Sequence, residues 1–88
     1  MRLRELLSKL IWDPREDFEG SLIRYVDRTP DGRGGTLIKI SELRGSEISE
    51  LGKGYLVVNR NGEVSHIPLH RIREVIDSRG RKVWPDAG

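Results

Sequence analysis

"YLVVNRNGEVSHI", residues 55–67, is the stretch on which the fold turns. Two runs of strand formers flank Asn61-Gly62. That dipeptide suits a type I′ turn, because both central residues of the turn need a positive φ. A two-residue turn also sets the register. Arg60 then stands opposite Glu63 as an opposite-charge pair. Val58 meets Ser65, Val57 meets His66, and Leu56 meets Ile67. Alternation places Leu56, Val58 and Ile67 on one face, with Val57 and His66 on the other. The spacing thus predicts a half-buried antiparallel hairpin.

Towards the N-terminus, Leu3, Leu6, Leu7, Leu10 and Ile11 fall on one helical stripe. Asp13-Pro14 ends that helix, because the residue before proline is pushed out of the helical region. Trp12, at its end, reads as a core anchor. "SLIRYVDR", residues 21–28, carries Ile23 and Tyr25 on one face and Leu22 and Val26 on the other, the pattern of an interior strand. "TPDGRGG", residues 29–35, is a glycine-rich turn, and "TLIKI" after it reads as a strand. Gly45, Gly52 and Gly54 punctuate short elements around Leu43 and Ile48. Towards the C-terminus, "RIREVI", a turn at residues 78–80 and "RKVW" form a second hairpin, and residues 85–88 are expected to fray. The expected fold is α+β: an N-terminal helix on a curled, mostly antiparallel sheet or small open barrel of six to seven short strands. Residues 1–88 read as a single domain.

The composition narrows the function. A chain of 88 residues supports one small core, with more room for a binding surface than for a deep catalytic cleft. The absence of cysteine excludes disulfides, thiolate zinc sites and a cysteine nucleophile. No apolar run reaches signal-peptide or membrane-spanning length, so a cytoplasmic location is expected. Twelve of the sixteen basic residues are arginine, whose planar fork suits phosphate. Residues 51–88 hold seven basic and four acidic side chains, against nine and ten in residues 1–50. That asymmetry permits an anionic partner, although a solvated charged surface gives the same counts.

Both histidines lie in "HIPLHRIREV", residues 66–75. A metal pair, an acid–base pair, a phosphate-binding edge and an ordinary strand are all readings of it. Pro68 breaks any helix that would set His66 and His70 on one side. On a strand they would stand about 13 Å apart, too far for one ion. Zinc wants three or four ligands, so no metal and no cofactor are expected. A histidine beside an arginine can move protons at a phosphodiester. A phosphate edge at His70 and Arg71 asks for less, only donors and access. "GRGG" is not a phosphate loop of the usual kind, since it lacks the lysine and the following helix.

Four pieces of the sequence together resemble one family: Ile11-Trp12, "YVDR" at 25–28, "IPLHRI" at 67–72 and Trp84. It is the RNA cyclic-group end recognition domain, common in archaea. The resemblance runs over nearly the whole chain in the same order. It implies a module that binds RNA 3′ ends carrying a cyclic phosphate or phosphate, in RNA processing or repair, rather than an enzyme. Carried onto this chain, the binding positions are Arg28, His70 and Arg71, with Tyr25 beside them, and Tyr25 or a tryptophan could stack an unstacked base at the RNA end. Family members often have His-Arg-Gly where this chain has Asp27-Arg28-Thr29, so a two-histidine mechanism lacks one histidine here. Two rival readings are a protein-interaction module docked on an RNA-processing enzyme and a phosphoesterase using His70.

Overall fold

The computed structural model describes residues 2–85. Residues 86–88, most of the tail expected to fray, lie outside the described residues. One helix, α1 (Leu3–Trp12), precedes seven strands: β1 (Leu22–Pro30), β2 (Thr36–Arg44), β3 (Ile48–Leu51), β4 (Tyr55–Arg60), β5 (Glu63–Pro68), β6 (Ile72–Ile76) and β7 (Lys82–Trp84). Phe18–Gly20, Gly45–Glu47 and Leu69–Arg71 each form a single 3-10 turn. The class is α+β with seven antiparallel strands, as the sequence predicts. The strands divide into two sheets, ordered β2-β1-β6-β7 and β3-β4-β5, and no barrel closes.

The Asn61-Gly62 hairpin has the predicted register from Tyr55↔Pro68 to Arg60↔Glu63. Asn61 and Gly62 take φ of 54° and 86°, the left-handed values a type I′ turn requires. The expected Arg60–Glu63 ion pair does not form. Arg60 instead donates from Nε to Glu47 (2.6 Å) and from Nη2 to the Glu42 carbonyl (2.6 Å). It thereby ties β4 to the chain that leaves β2. A guanidinium gains more from a carboxylate and a carbonyl together than from one facing carboxylate in water.

β1 is an interior strand, paired with β2 along its whole length and with β6 only from Leu22↔Ile76 to Tyr25↔Ile72. Beyond Tyr25 it pairs with β2 alone, so the far half of this hairpin is a two-stranded arm. Asp31 holds the arm's tip, accepting from the N–H groups of Arg33 (2.7 Å) and Gly35 (3.0 Å). Leu37, Ile38 and Ile40 on the arm are exposed.

One core joins the helix to both sheets. Leu7 and Leu10 meet Ile23, Tyr25, Leu43, Ile72 and Val75 of one sheet and Leu56, Val58 and Ile67 of the other. Trp84 packs partly buried against this cluster. Trp12 does not: it is 79% exposed, which corrects its reading as a core anchor. The reason is angular. At 3.6 residues per turn, Trp12 lies about 200° from Leu10, on the side away from the buried stripe.

The chain crosses between sheets at Gly45, which is buried. Its N–H donates to the Ser21 carbonyl (3.0 Å), and a side chain there would run into the Phe18 carbonyl. Buried Asp77 organises the β6–β7 turn by accepting from the N–H groups of Arg79 (3.0 Å) and Arg81 (2.9 Å). Its pKa is lowered, chiefly by the hydrogen bond from the Arg81 backbone and then by that from Arg79, against the cost of burial.

Gly45→Ala should lower stability by about 2 kcal/mol or more, because backbone has to move. A thermal melt within a degree or two of the parent would contradict that. For Asp77, the folded carboxylate stays charged below its ordinary value of 3.8. Its contribution is therefore complete above that value and is lost as pH falls through the lower folded one. Asp77→Asn should cost on the order of 1–2 kcal/mol in urea unfolding at neutral pH. The gap to the parent should close in strong acid, and a gap independent of pH would rule this account out.

Candidate nucleic-acid interface

Pro68 ends β5 and sets up the Leu69–Arg71 turn. The turn is pinned at both ends. The Leu69 N–H donates to the Gly54 carbonyl (2.9 Å), and Leu69 packs against the core. After the turn, Ile72 is fully buried and pairs with Tyr25. With positions 69 and 72 fixed inward, the two residues between them form the face of the turn. His70 is exposed. Arg71 is half-buried, and its Nε is buried with no hydrogen-bond partner among the described residues. A buried donor left unpaired costs on the order of 1–3 kcal/mol, so an acceptor is called for at this point.

The four residues singled out from sequence are not all on one surface. The turn contacts β1. Since β1 and β6 are antiparallel, the turn runs beside the part of β1 beyond Tyr25, towards Arg28. Arg28 is exposed there and pairs across the arm with Ile38. Tyr25 is only 8% exposed and belongs to the core, so its ring offers no stacking face. The pleat of β1 sets Tyr25 and Arg28 on opposite faces. It does the same for Asp27 and Arg28. Asp27 accepts from the Ser41 hydroxyl at 3.2 Å and makes no ion pair with Arg28.

Charge pairing sorts the arginines. Arg24 is held by Glu42 (2.8 Å) and Glu74 (2.9 Å), which raise its pKa in that order. Arg60 is held by Glu47, Arg81 by Asp77 and Arg15 by Asp13. Among the described residues no ion pair engages Arg28, His70, Arg71 or Arg73. Arg73 was not singled out from sequence. It occupies the irregularity where β6 shifts register between Glu74 and Ile72 against Arg24 and Tyr25, and it is exposed. Such bulges re-aim side chains, and a lone Arg in "IREV" carries no signal of one.

His66 lies opposite Val57 as predicted and sits beside Tyr55, with ring centroids 5.1 Å apart and planes tilted by 57°. That cross-strand contact gives it a packing role apart from the turn. Among the described residues no three potential ligands gather in a group that could hold a metal ion.

The model of the MJ1316 RNA cyclic group end recognition domain matches residues 1–85. A UPF0248 protein of Thermococcus onnurineus is 38% identical over 82 residues, which is 93% of this chain and 82% of the relative. A UPF0248 protein of Pyrococcus furiosus is 39% identical over 82 residues, covering 93% and 84% of the two chains. One of Methanococcus maripaludis is 30% identical over 81 residues, 92% of each. No solved structure matches the chain.

The orphaned Nε makes a prediction about the free protein. Arg71→Met keeps the apolar stem and removes an unpaired buried donor, so it should leave stability unchanged or raise it by about 1 kcal/mol. Chemical denaturation would measure this, and a loss beyond about 1 kcal/mol would show that Arg71 has a structural partner.

Proposed function

The chain belongs to the MJ1316 RNA cyclic group end recognition domain family, and on that premise we propose that it binds the phosphate at an RNA 3′ end on the Leu69–Arg71 turn. The observation that carries this reading is Arg71: a cation with a buried, unpartnered Nε, beside exposed His70, on a turn pinned by Leu69 and Ile72. A cyclic phosphate has one negative charge and two free oxygens, which match a guanidinium fork. Arg28 approaches along β1 and Arg73 from the bulge, and both contribute longer-range attraction. Tyr25 acts from beneath by pairing with Ile72, which positions the turn. A binding role suits the absence of a second histidine or a carboxylate among these residues better than turnover does. The setting is RNA processing or repair in the cytoplasm, where such ends arise.

A second reading, a protein-docking module on an RNA-processing enzyme, has one feature in its favour. Leu37, Ile38 and Ile40 of the arm are 58%, 65% and 57% exposed, more apolar surface than RNA binding uses. RNA affinity that is absent, or insensitive to salt, would favour it.

The test is a titration with matched short RNAs ending in cyclic phosphate, linear phosphate or hydroxyl. Three cationic contacts to single-stranded RNA give an expected slope of about −2 in log K against log salt. Arg71→Ala should weaken the phosphate-ended RNAs about ten- to hundred-fold. Arg79→Ala, on the remote β6–β7 turn, should have little effect. Equal binding of all three ends, or equal losses from the two variants, would overturn end recognition.

A further inference from the structure

Trp12 needs an account. Leaving an indole exposed forgoes the burial of one of the largest apolar surfaces a side chain has. It stands at the mouth of a cleft of about 400 Å³ between α1 and β3, a volume within the usual range of small-ligand sites. Its lining is mixed: Ile11, Phe18 and Leu51 contribute apolar surface, and Arg4 and Glu50 polar groups. Trp12 lies on the side of α1 farthest from the buried leucines, with Arg4 and Ile11 on the flank between it and Leu7. This combination suits a nucleobase. The indole supplies a stacking plane, the apolar side chains of the lining accept a flat ring, and Glu50 is an acceptor for an exocyclic amine.

The position of the cleft relative to the turn strengthens the case. Arg4 donates from Nε to the Gly52 carbonyl at 3.2 Å. Two residues on, the Gly54 carbonyl accepts from Leu69, the first residue of the phosphate-binding turn. The short β3–β4 connection, residues 52–54, is thus bonded to the cleft on one side and to the turn on the other. Lys53 lies exposed between them. Arg4 is bonded to this connection, Lys53 is exposed on it, and Arg71 belongs to the turn bonded to its other end, so cations suited to a phosphodiester backbone occur on all three.

We propose that the α1–β3 cleft binds a base upstream of the RNA end, stacked on Trp12, while the terminal phosphate sits on the Leu69–Arg71 turn. The proposal rests on the end-binding reading given above. Nothing in the family resemblance assigned Trp12 or Arg4 a ligand.

The experiment compares three ligands: a nucleoside 2′,3′-cyclic phosphate, a trinucleotide ending in that group, and the same trinucleotide ending in a hydroxyl. Each is titrated into the parent, Trp12→Ala and Trp12→Phe. Because Trp12 is exposed, all three proteins should melt alike. Trp12→Ala should weaken the cyclic-phosphate trinucleotide by roughly five- to hundred-fold, the range of one base–aromatic stack. Trp12→Phe should recover most of that affinity, and the nucleoside cyclic phosphate should bind all three proteins equally. An unchanged trinucleotide affinity in Trp12→Ala, or an equal loss for the nucleoside, would overturn the cleft while leaving end recognition standing if the two trinucleotides still differ. Equal affinity for the two trinucleotides, with the Trp12 loss intact, would overturn end recognition and support the cleft. Failure of all three ligands to bind would overturn both.

Discussion

Everything in this small protein depends on the chain passing from one sheet to the other at Gly45 without a side chain. There the backbone comes so close to the Phe18 carbonyl that no Cβ fits, and the Gly45 N–H is taken up by Ser21. The next residues turn the chain into β3, and Glu47 accepts from both the Arg44 backbone (2.9 Å) and Arg60. These bonds hold Glu47 charged below the usual carboxylate range, with the Arg44 N–H the larger cause. One close contact and one carboxylate thereby set the angle between two sheets that share a core with a single helix. With so little apolar material, a few degrees of change in that angle would open the core to water.

The same frame ties some of the arginines to the fold. Arg24, Arg60 and Arg81 are engaged by carboxylates on neighbouring strands or turns, and they serve the fold. Arg28 and Arg71 lie beyond the last backbone pair of β1 and β6, at Tyr25 and Ile72, and Arg73 sits in the bulge just inside it.

The archaeal relatives match over most of both chains. Asp27, the residue before Arg28, accepts from Ser41 across the hairpin. Because neighbouring residues on a strand face opposite ways, this acid does not quench Arg28.

The sequence by itself determined the elements whose information is local. The Asn61-Gly62 turn fixed a register, the leucine spacing fixed a helical face, and the alternation around Ile23 and Tyr25 marked an interior strand. Each follows from backbone geometry within a dozen residues, and the resemblance supplied the family. Only the tertiary structure decided what depends on meeting a distant segment. It split the strands into two sheets, turned Arg60 from Glu63 to Glu47, buried Tyr25, exposed Trp12 and aimed Arg73 from a bulge. Side-chain type says what a residue can bond, but burial and partner choice are properties of the packed whole. In a core this small they are settled by a few close contacts far apart in sequence.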